Sequence, residues 1–418
     1  MTRPQDRQRV RRSTPRRDTR SRVLARKTVM IARTPPAWVM GALALLIVGT
    51  FTLRILIPTG MDPTVFLAFG EESPVQTAYA ERLLGDVATR PSLGHDGRFF
   101  FPQANDPWYL QPARNAAVLD RPIYRGQRML FPVIAGGLGF FPPGVVVWSM
   151  LITNLLALAI AAWLAARLAA SWGASTWLGV SVPLNIGLLF ELDIGGAGIL
   201  AYTFCLGAVL ALVNERIELA SLLFGAAALS REVMVAFAVG VLLLWWLEER
   251  RLLWRIVLTP LLAVSAWYVY LSFRLSGVSG VGGGTENFTA PFVGIFEALR
   301  SWIRDPSDLL VNLSLLVVVV AFTPLALRSR VPIAWGALPF VALATVLSVN
   351  VWLEPFNFTR ALAPVFTAAP FLVVLSRGHE LAIGAGRFTR TRANIPQIDT
   401  GGLDGSASPP LDPTVGAA

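Results

Sequence analysis

Residues 37–57 read AWVMGALALLIVGTFTLRILI and carry a single charge, Arg54, close to their end. At about 1.5 Å per residue, a helix of this length covers roughly the 30 Å hydrocarbon thickness of a bilayer. The rest of the chain has the same character. Hydrophobic residues make up 54% and charged residues 15%, with a mean hydropathy of +0.57, whereas soluble domains carry roughly 25% charged residues. A soluble globule is excluded. Further apolar runs bounded by charge, Gly or Pro fall near 144–166, 175–190, 196–213, 217–229, 232–247, 253–273, 307–327, 331–349 and 360–376. The expected fold is therefore an all-α polytopic membrane protein with about ten transmembrane helices. Its transmembrane domain, 37–376, includes a large first extracytoplasmic loop, 58–128. The stretch 217–247 is read as two short helices meeting at an outer turn, because one helix would carry Arg231 and Glu232 to bilayer depth at a cost of several kcal/mol. Gly136, Gly137, Gly139, Pro142 and Pro143 interrupt the run 129–143, which predicts a re-entrant or interfacial segment.

Upstream of the first span the composition inverts. Between Arg3 and Arg33 stand twelve basic residues against Asp6 and Asp18, a surplus that accounts for the net charge of +10. Residues 1–36 cannot bury enough apolar surface to fold and read as a disordered cytoplasmic tail. Its expected partners are anionic membrane lipids rather than nucleic acid, since each basic residue near such a surface is worth about 1 kcal/mol. The apolar segment that follows is longer than the core of a secretory signal and lacks a small-residue cleavage motif, so it stays as an anchor. With the tail inside, the loops on the same side carry Arg167, then Arg216, then Arg250, Arg251 and Arg255, then Arg328 and Arg330, then Arg377, Arg387, Arg390 and Arg392. This is the positive-inside pattern. It predicts the inner (plasma) membrane of a bacterium, with both termini cytoplasmic and 377–418 a second disordered tail. Lys27 is the only lysine, a bias read as that of a GC-rich genome.

The outer loops hold the polar residues. Gly94-His95-Asp96-Gly97 places a carboxylate between glycines, ahead of Phe99-Phe100-Phe101. Such glycines permit positive φ and close backbone approach, as when a ligand must reach the acid; the plainer alternative is a surface turn in which Asp96 caps a helix. Asp120 to Arg128 concentrates Arg121, Arg125 and Arg128 with Tyr124. Guanidiniums pair bidentately with phosphate, which makes a lipid phosphate one partner; snorkelling or an ion pair with Asp120 is the other reading. Glu191 and Asp193, Arg231 and Glu232, and Glu354, Asn357 and Arg360 stand at helix ends on the same predicted face and suggest a shared polar cavity. His95 and His379 are the only histidines and Cys205 the only cysteine. No Walker loop, paired CxxC, HExxH or GxSxG motif occurs. Gly277 to Gly284 reads as a flexible loop, and Asn287-Phe-Thr289 and Asn357-Phe-Thr359 as chance matches to a glycosylation pattern.

The layout resembles the GT-C superfamily of integral-membrane glycosyltransferases: a first span, a long outer loop carrying an acid, then many helices with short loops. Gly94–Phe101 together with Asp120-Arg121-Pro122-Ile123-Tyr124-Arg125-Gly126-Gln127-Arg128-Met129-Leu130-Phe131-Pro132 is similar to a "YDGQFYY … Y-R-x-x-R-I-L-Y-P" pattern in bacterial proteins of that type. Ser230-Arg231-Glu232 looks like their mid-chain "K-E" turn. His95 stands where that pattern has tyrosine.

The resemblance implies transfer of a sugar from a polyprenyl-phosphate carrier to an extracytoplasmic acceptor by a single inverting displacement. Asp96 would be the catalytic base, Arg125, Arg128, Arg231 and Arg360 would hold the lipid phosphate, and Glu232 and Glu354 would orient those arginines or sugar hydroxyls. Some members use a divalent metal, and this loop lacks a DxD cluster. Two other classes remain open. A lipid or lipid-linked-sugar transporter should show polar residues through the spans, and a non-catalytic envelope scaffold should tolerate loss of Asp96.

Overall fold

The computed structural model describes residues 34–277 and 288–377. The expectations placed on 1–33, on most of the Gly277–Gly284 loop, on Asn287, on His379 and on the tail beyond Arg377 lie outside the described residues. Within them the chain is mostly helical, with almost no strand. Four helices are long and apolar enough to cross a membrane: Ala37–Leu56, Pro143–Ser171, Arg255–Arg274 and Pro306–Arg328. A fifth span is formed if the pair Pro355–Ala361 and Ala363–Leu375, bent by 71°, counts as one. Gly198–Val213, Ile217–Ser230 and Pro332–Ala344 are apolar but shorter.

Three expectations of continuous spans are corrected. The stretch 175–190 breaks into a 3-10 turn, Thr176–Ser181, and a helix, Ile186–Asp193. Pro183 has no N–H to continue the ladder, and Asn185 restarts the helix by accepting the Gly187 and Leu188 N–H groups. Residues 331–349 form helix only from Pro332 to Ala344, with a separate turn at Val349–Trp352. The last helix is bent at Leu362 and begins earlier than expected, at Pro355. The division of 217–247 does occur: Ile217–Ser230 ends at Arg231, whose extended backbone (φ −155°) turns the chain into Met234–Glu249. Residues 129–143 form two short turns of helix, Leu130–Ala135 and Gly137–Gly139.

Small residues set how closely the helices approach, as expected where lipid supplies little driving force between them. A Cβ on Gly41 would lie 3.1 Å from the Ala159 carbonyl, so Ala37–Leu56 packs directly on Pro143–Ser171. A Cβ on Gly240 would lie 3.0 Å from the Cα of Gly336, which joins Met234–Glu249 to Pro332–Ala344.

The basic turns meet in pairs. Thr176 donates to the Pro35 carbonyl at 2.8 Å, Arg255 pairs with Glu218, and Arg330 pairs with Glu248 at 2.9 Å.

The segment 58–128 is not loose. It folds into a cap of short helices, Pro74–Leu84, Gly97–Asn105, Pro112–Val118 and Pro122–Gly126, beside a two-residue parallel pairing of Phe69–Gly70 with Thr89–Arg90. Asp106 staples it, accepting the Leu110 and Gln111 N–H groups at 2.8 Å and the Asn115 amide at 2.9 Å.

Candidate functional site

Asp96 stands immediately before helix Gly97–Asn105, and its side chain makes no capping bond to that helix, so the helix-cap reading is set aside. The carboxylate faces three guanidiniums instead. Arg360 donates to it at 3.0 Å, Arg125 at 3.2 Å, and Arg128 forms an ion pair at 3.6 Å.

The flanking glycines have a different purpose from the one their sequence suggests. Gly94 adopts φ +74°, and the His95 N–H donates to the Ala68 carbonyl at 2.9 Å. A Cβ on Gly97 would lie 2.7 Å from both the Leu67 and Ile194 carbonyl oxygens. The close approach is thus to the chain's own backbone, and the glycines press Asp96 onto the helical bundle. Gly97→Ala should lower thermal stability by about 1–3 kcal/mol, the range for overpacking, measured by unfolding in detergent.

Each arginine arrives on a different element. Arg125 lies in the last turn of Pro122–Gly126, a helix fixed to the bundle because the Trp267 indole donates to the Gly126 carbonyl at 2.7 Å. Its guanidinium is 3.9 Å from the Phe99 ring centroid and grips Asp120 through two bonds of 2.9 Å. Arg128 is held by Glu232 through two bonds of 3.1 Å and donates to the Tyr124 hydroxyl at 3.1 Å. Arg231 reaches Glu191 at 2.7 Å. Arg360 comes from Pro355–Ala361, which lies directly on Ile186–Asp193: a Cβ on Gly187 would be 2.8 Å from the Arg360 nitrogen.

Glu191 sits behind this layer with its side chain 3% exposed. It accepts the Gly198 N–H at 3.1 Å and lies 3.6 Å from Arg360 Nε, so it links Arg231 to Arg360. Gly196 and Gly198 make room for it, since a Cβ on Gly198 would lie 2.6 Å from the carboxylate. Four guanidiniums are therefore matched by Asp96, Asp120, Glu191 and Glu232, as a half-buried charge cluster requires.

Burial opposes ionisation of Asp96, but Arg360, then Arg128 and Arg125, and at longer range Arg231, outweigh it and hold the carboxyl well below the usual carboxylate range. Burial, and then the charge of Arg360, push His95 below its ordinary value of 6.5. Its imidazole packs edge-on against Phe190 with ring centroids 5.3 Å apart, so it acts as an aromatic neighbour of the acid. Because the folded His95 binds its proton more weakly than the unfolded one, stability should fall as pH drops below about 6.5 toward the lowered value. His95→Phe should remove that part of the acid sensitivity in a thermal melt between pH 7.5 and 5.5.

Of the residues expected at the site, Asp96, Arg125, Arg128, Arg360, Arg231 and Glu232 converge. Glu354 does not. It is exposed and accepts from Asn357 at 3.1 Å, and it precedes the short helix whose last turn carries Arg360, about 9 Å further along. Glu354 pairs with no arginine among the described residues. Asp193 likewise turns aside, pairing with Arg90 at 2.8 Å. The sequence placed Glu191 at a helix end but gave it no role, and Phe99 as a support for Arg125 carried no sequence signal beyond the aromatic run. Among the described residues no three His, Cys, Asp or Glu side chains come together to hold a metal.

Fold and site together define a helical membrane protein with a charged cluster where its cap meets the bundle. Comparison with protein-family models, curated proteins and solved structures finds no match to this chain.

Proposed function

We propose that the chain is a GT-C-type glycosyltransferase that moves a sugar from a polyprenyl-phosphate carrier to an acceptor at the extracytoplasmic face. One observation carries the reading: the Asp96 carboxylate occupies a nest of three guanidiniums that a phosphate, with more charge and more acceptor oxygens, would fill better. Asp96 is the partner a ligand can replace, because its side chain is 16% exposed while that of Glu191 is 3% exposed.

When the donor phosphate takes Arg125, Arg128 and Arg360, the Asp96 carboxylate is released beside the anomeric carbon. The acceptor hydroxyl oxygen then forms its bond to that carbon. The carbon–oxygen bond to the phosphate breaks with its electron pair passing to the phosphate oxygen, and Asp96 takes the hydroxyl proton. The arginines stabilise charge that grows as the phosphate leaves. A carboxylate is base enough because the hydroxyl becomes acidic late, provided it comes within ~3 Å.

The reading also uses the ten-span, positive-inside arrangement, in which both termini and the paired basic turns face the cytoplasm and the Asp96 cluster faces outward. The polyprenyl-linked sugar is the partner implied, with anionic lipids at the basic tail. The test is transfer by purified protein from a panel of polyprenyl-phosphate sugars in nanodiscs. No transfer from any donor by folded protein removes the assignment.

A further inference from the structure

A cavity of about 820 Å³ lies away from Asp96, between Pro143–Ser171, Gly198–Val213 and Ile217–Ser230. Its walls are apolar, including Leu156, Ile160, Trp163 and Leu223, and the first three are among the more exposed large hydrophobic side chains. One end is different, because Arg167, Asn214 and Arg216 line it together. Arg255 and Arg330, in neighbouring basic turns, each have a carboxylate. Arg167 and Arg216 are exposed and form no ion pair among the described residues.

The geometry separates this end from the Asp96 cluster. Gly198, at the start of Gly198–Val213, touches the Glu191 carboxylate, whereas Arg216 follows the end of the same helix. The fifteen steps of helical rise from Gly198 to Val213 put them roughly 22 Å apart. Along Pro143–Ser171 the groove runs from Thr153 to Arg167, about 21 Å, or two-thirds of a hydrocarbon core of roughly 30 Å. That is room for a hydrocarbon chain lying along the bundle with its polar end between two arginines.

We infer that this groove binds one anionic glycerophospholipid, an acyl chain against Leu156, Ile160 and Trp163 and the phosphate between Arg167 and Arg216. Charge complementarity selects the occupant. Two guanidiniums with no carboxylate partner among the described residues favour a headgroup of net negative charge over a zwitterionic one, whose own cation they would repel. Apolar walls open to the side favour a chain delivered from the bilayer over a soluble anion. The inference is independent of the glycosyltransferase reading.

The test uses full-length protein, delipidated in detergent and titrated with phosphatidylglycerol while native mass spectrometry counts bound lipid. One tightly held phosphatidylglycerol is expected, and phosphatidylcholine should bind at least tenfold more weakly. Arg167→Ala/Arg216→Ala should weaken phosphatidylglycerol at least tenfold. Gly207→Leu should weaken it comparably, since Gly207 lines the groove and its Cβ position already lies 3.4 Å from Leu223, and this change fills the groove without altering charge. Both variants should keep the wild-type melting temperature within a few degrees. Four outcomes overturn the inference: equal retention by both variants, equal binding of the two lipids, displacement by millimolar inorganic phosphate, or preferential loading of polyprenyl phosphate at this position.

Discussion

Asp96→Asn protein is expected to transfer sugar one hundred to ten thousand times more slowly than wild type, the range contributed by a positioned general base. The kinetic signature should be specific. Asn keeps the size and one acceptor oxygen, but it removes the charge that competes with the donor phosphate for Arg125, Arg128 and Arg360. The turnover number should therefore collapse while KM for the donor stays level or falls. A rise in KM with unchanged turnover would mean that Asp96 only shapes the donor site. Equal rates for the two proteins would remove it from the chemistry altogether. Asp96→Glu, with the charge retained on a longer arm, should recover part of the rate and so separate lost basicity from a disturbed fold.

The second large effect is on stability and falls on Glu191. Glu191→Gln preserves shape but takes the counter-charge from Arg231, which it meets at 2.7 Å, in a layer where its own side chain is 3% exposed. Leaving a buried partner unpaired costs about 3–5 kcal/mol. The expected result is a large drop in the unfolding midpoint in detergent, without need of any substrate. Combining it with Arg231→Leu should return most of the loss, because the double variant has no orphaned charge. If Glu191→Gln melts with wild type, the carboxylate is not the structural base of the cluster.

Much of the fold is legible along the chain. The run Ala37–Leu53 without a charge and the break at Ser230-Arg231-Glu232 are local facts, and the bilayer punishes charge and unpaired backbone enough to make local facts decisive. The break inside 175–190 is invisible to hydropathy, which averages over Pro183, whereas the backbone ladder does not. Candidate site residues were legible as exceptions, polar groups at helix ends in an apolar chain. Their partners were not, because Asp96 and Arg360 are 264 positions apart and Arg128 and Glu232 104.

The sequence by itself determined a helical membrane protein and the cut between Ile217–Ser230 and Met234–Glu249, since each follows from composition or spacing. Only the tertiary structure decided that Gly94 and Gly97 serve backbone packing and that Glu191 supports the cluster. Those outcomes depend on which helices lie against one another, and helix contact is set by the shapes of facing surfaces, such as Gly187 against Arg360, that no single stretch of chain contains.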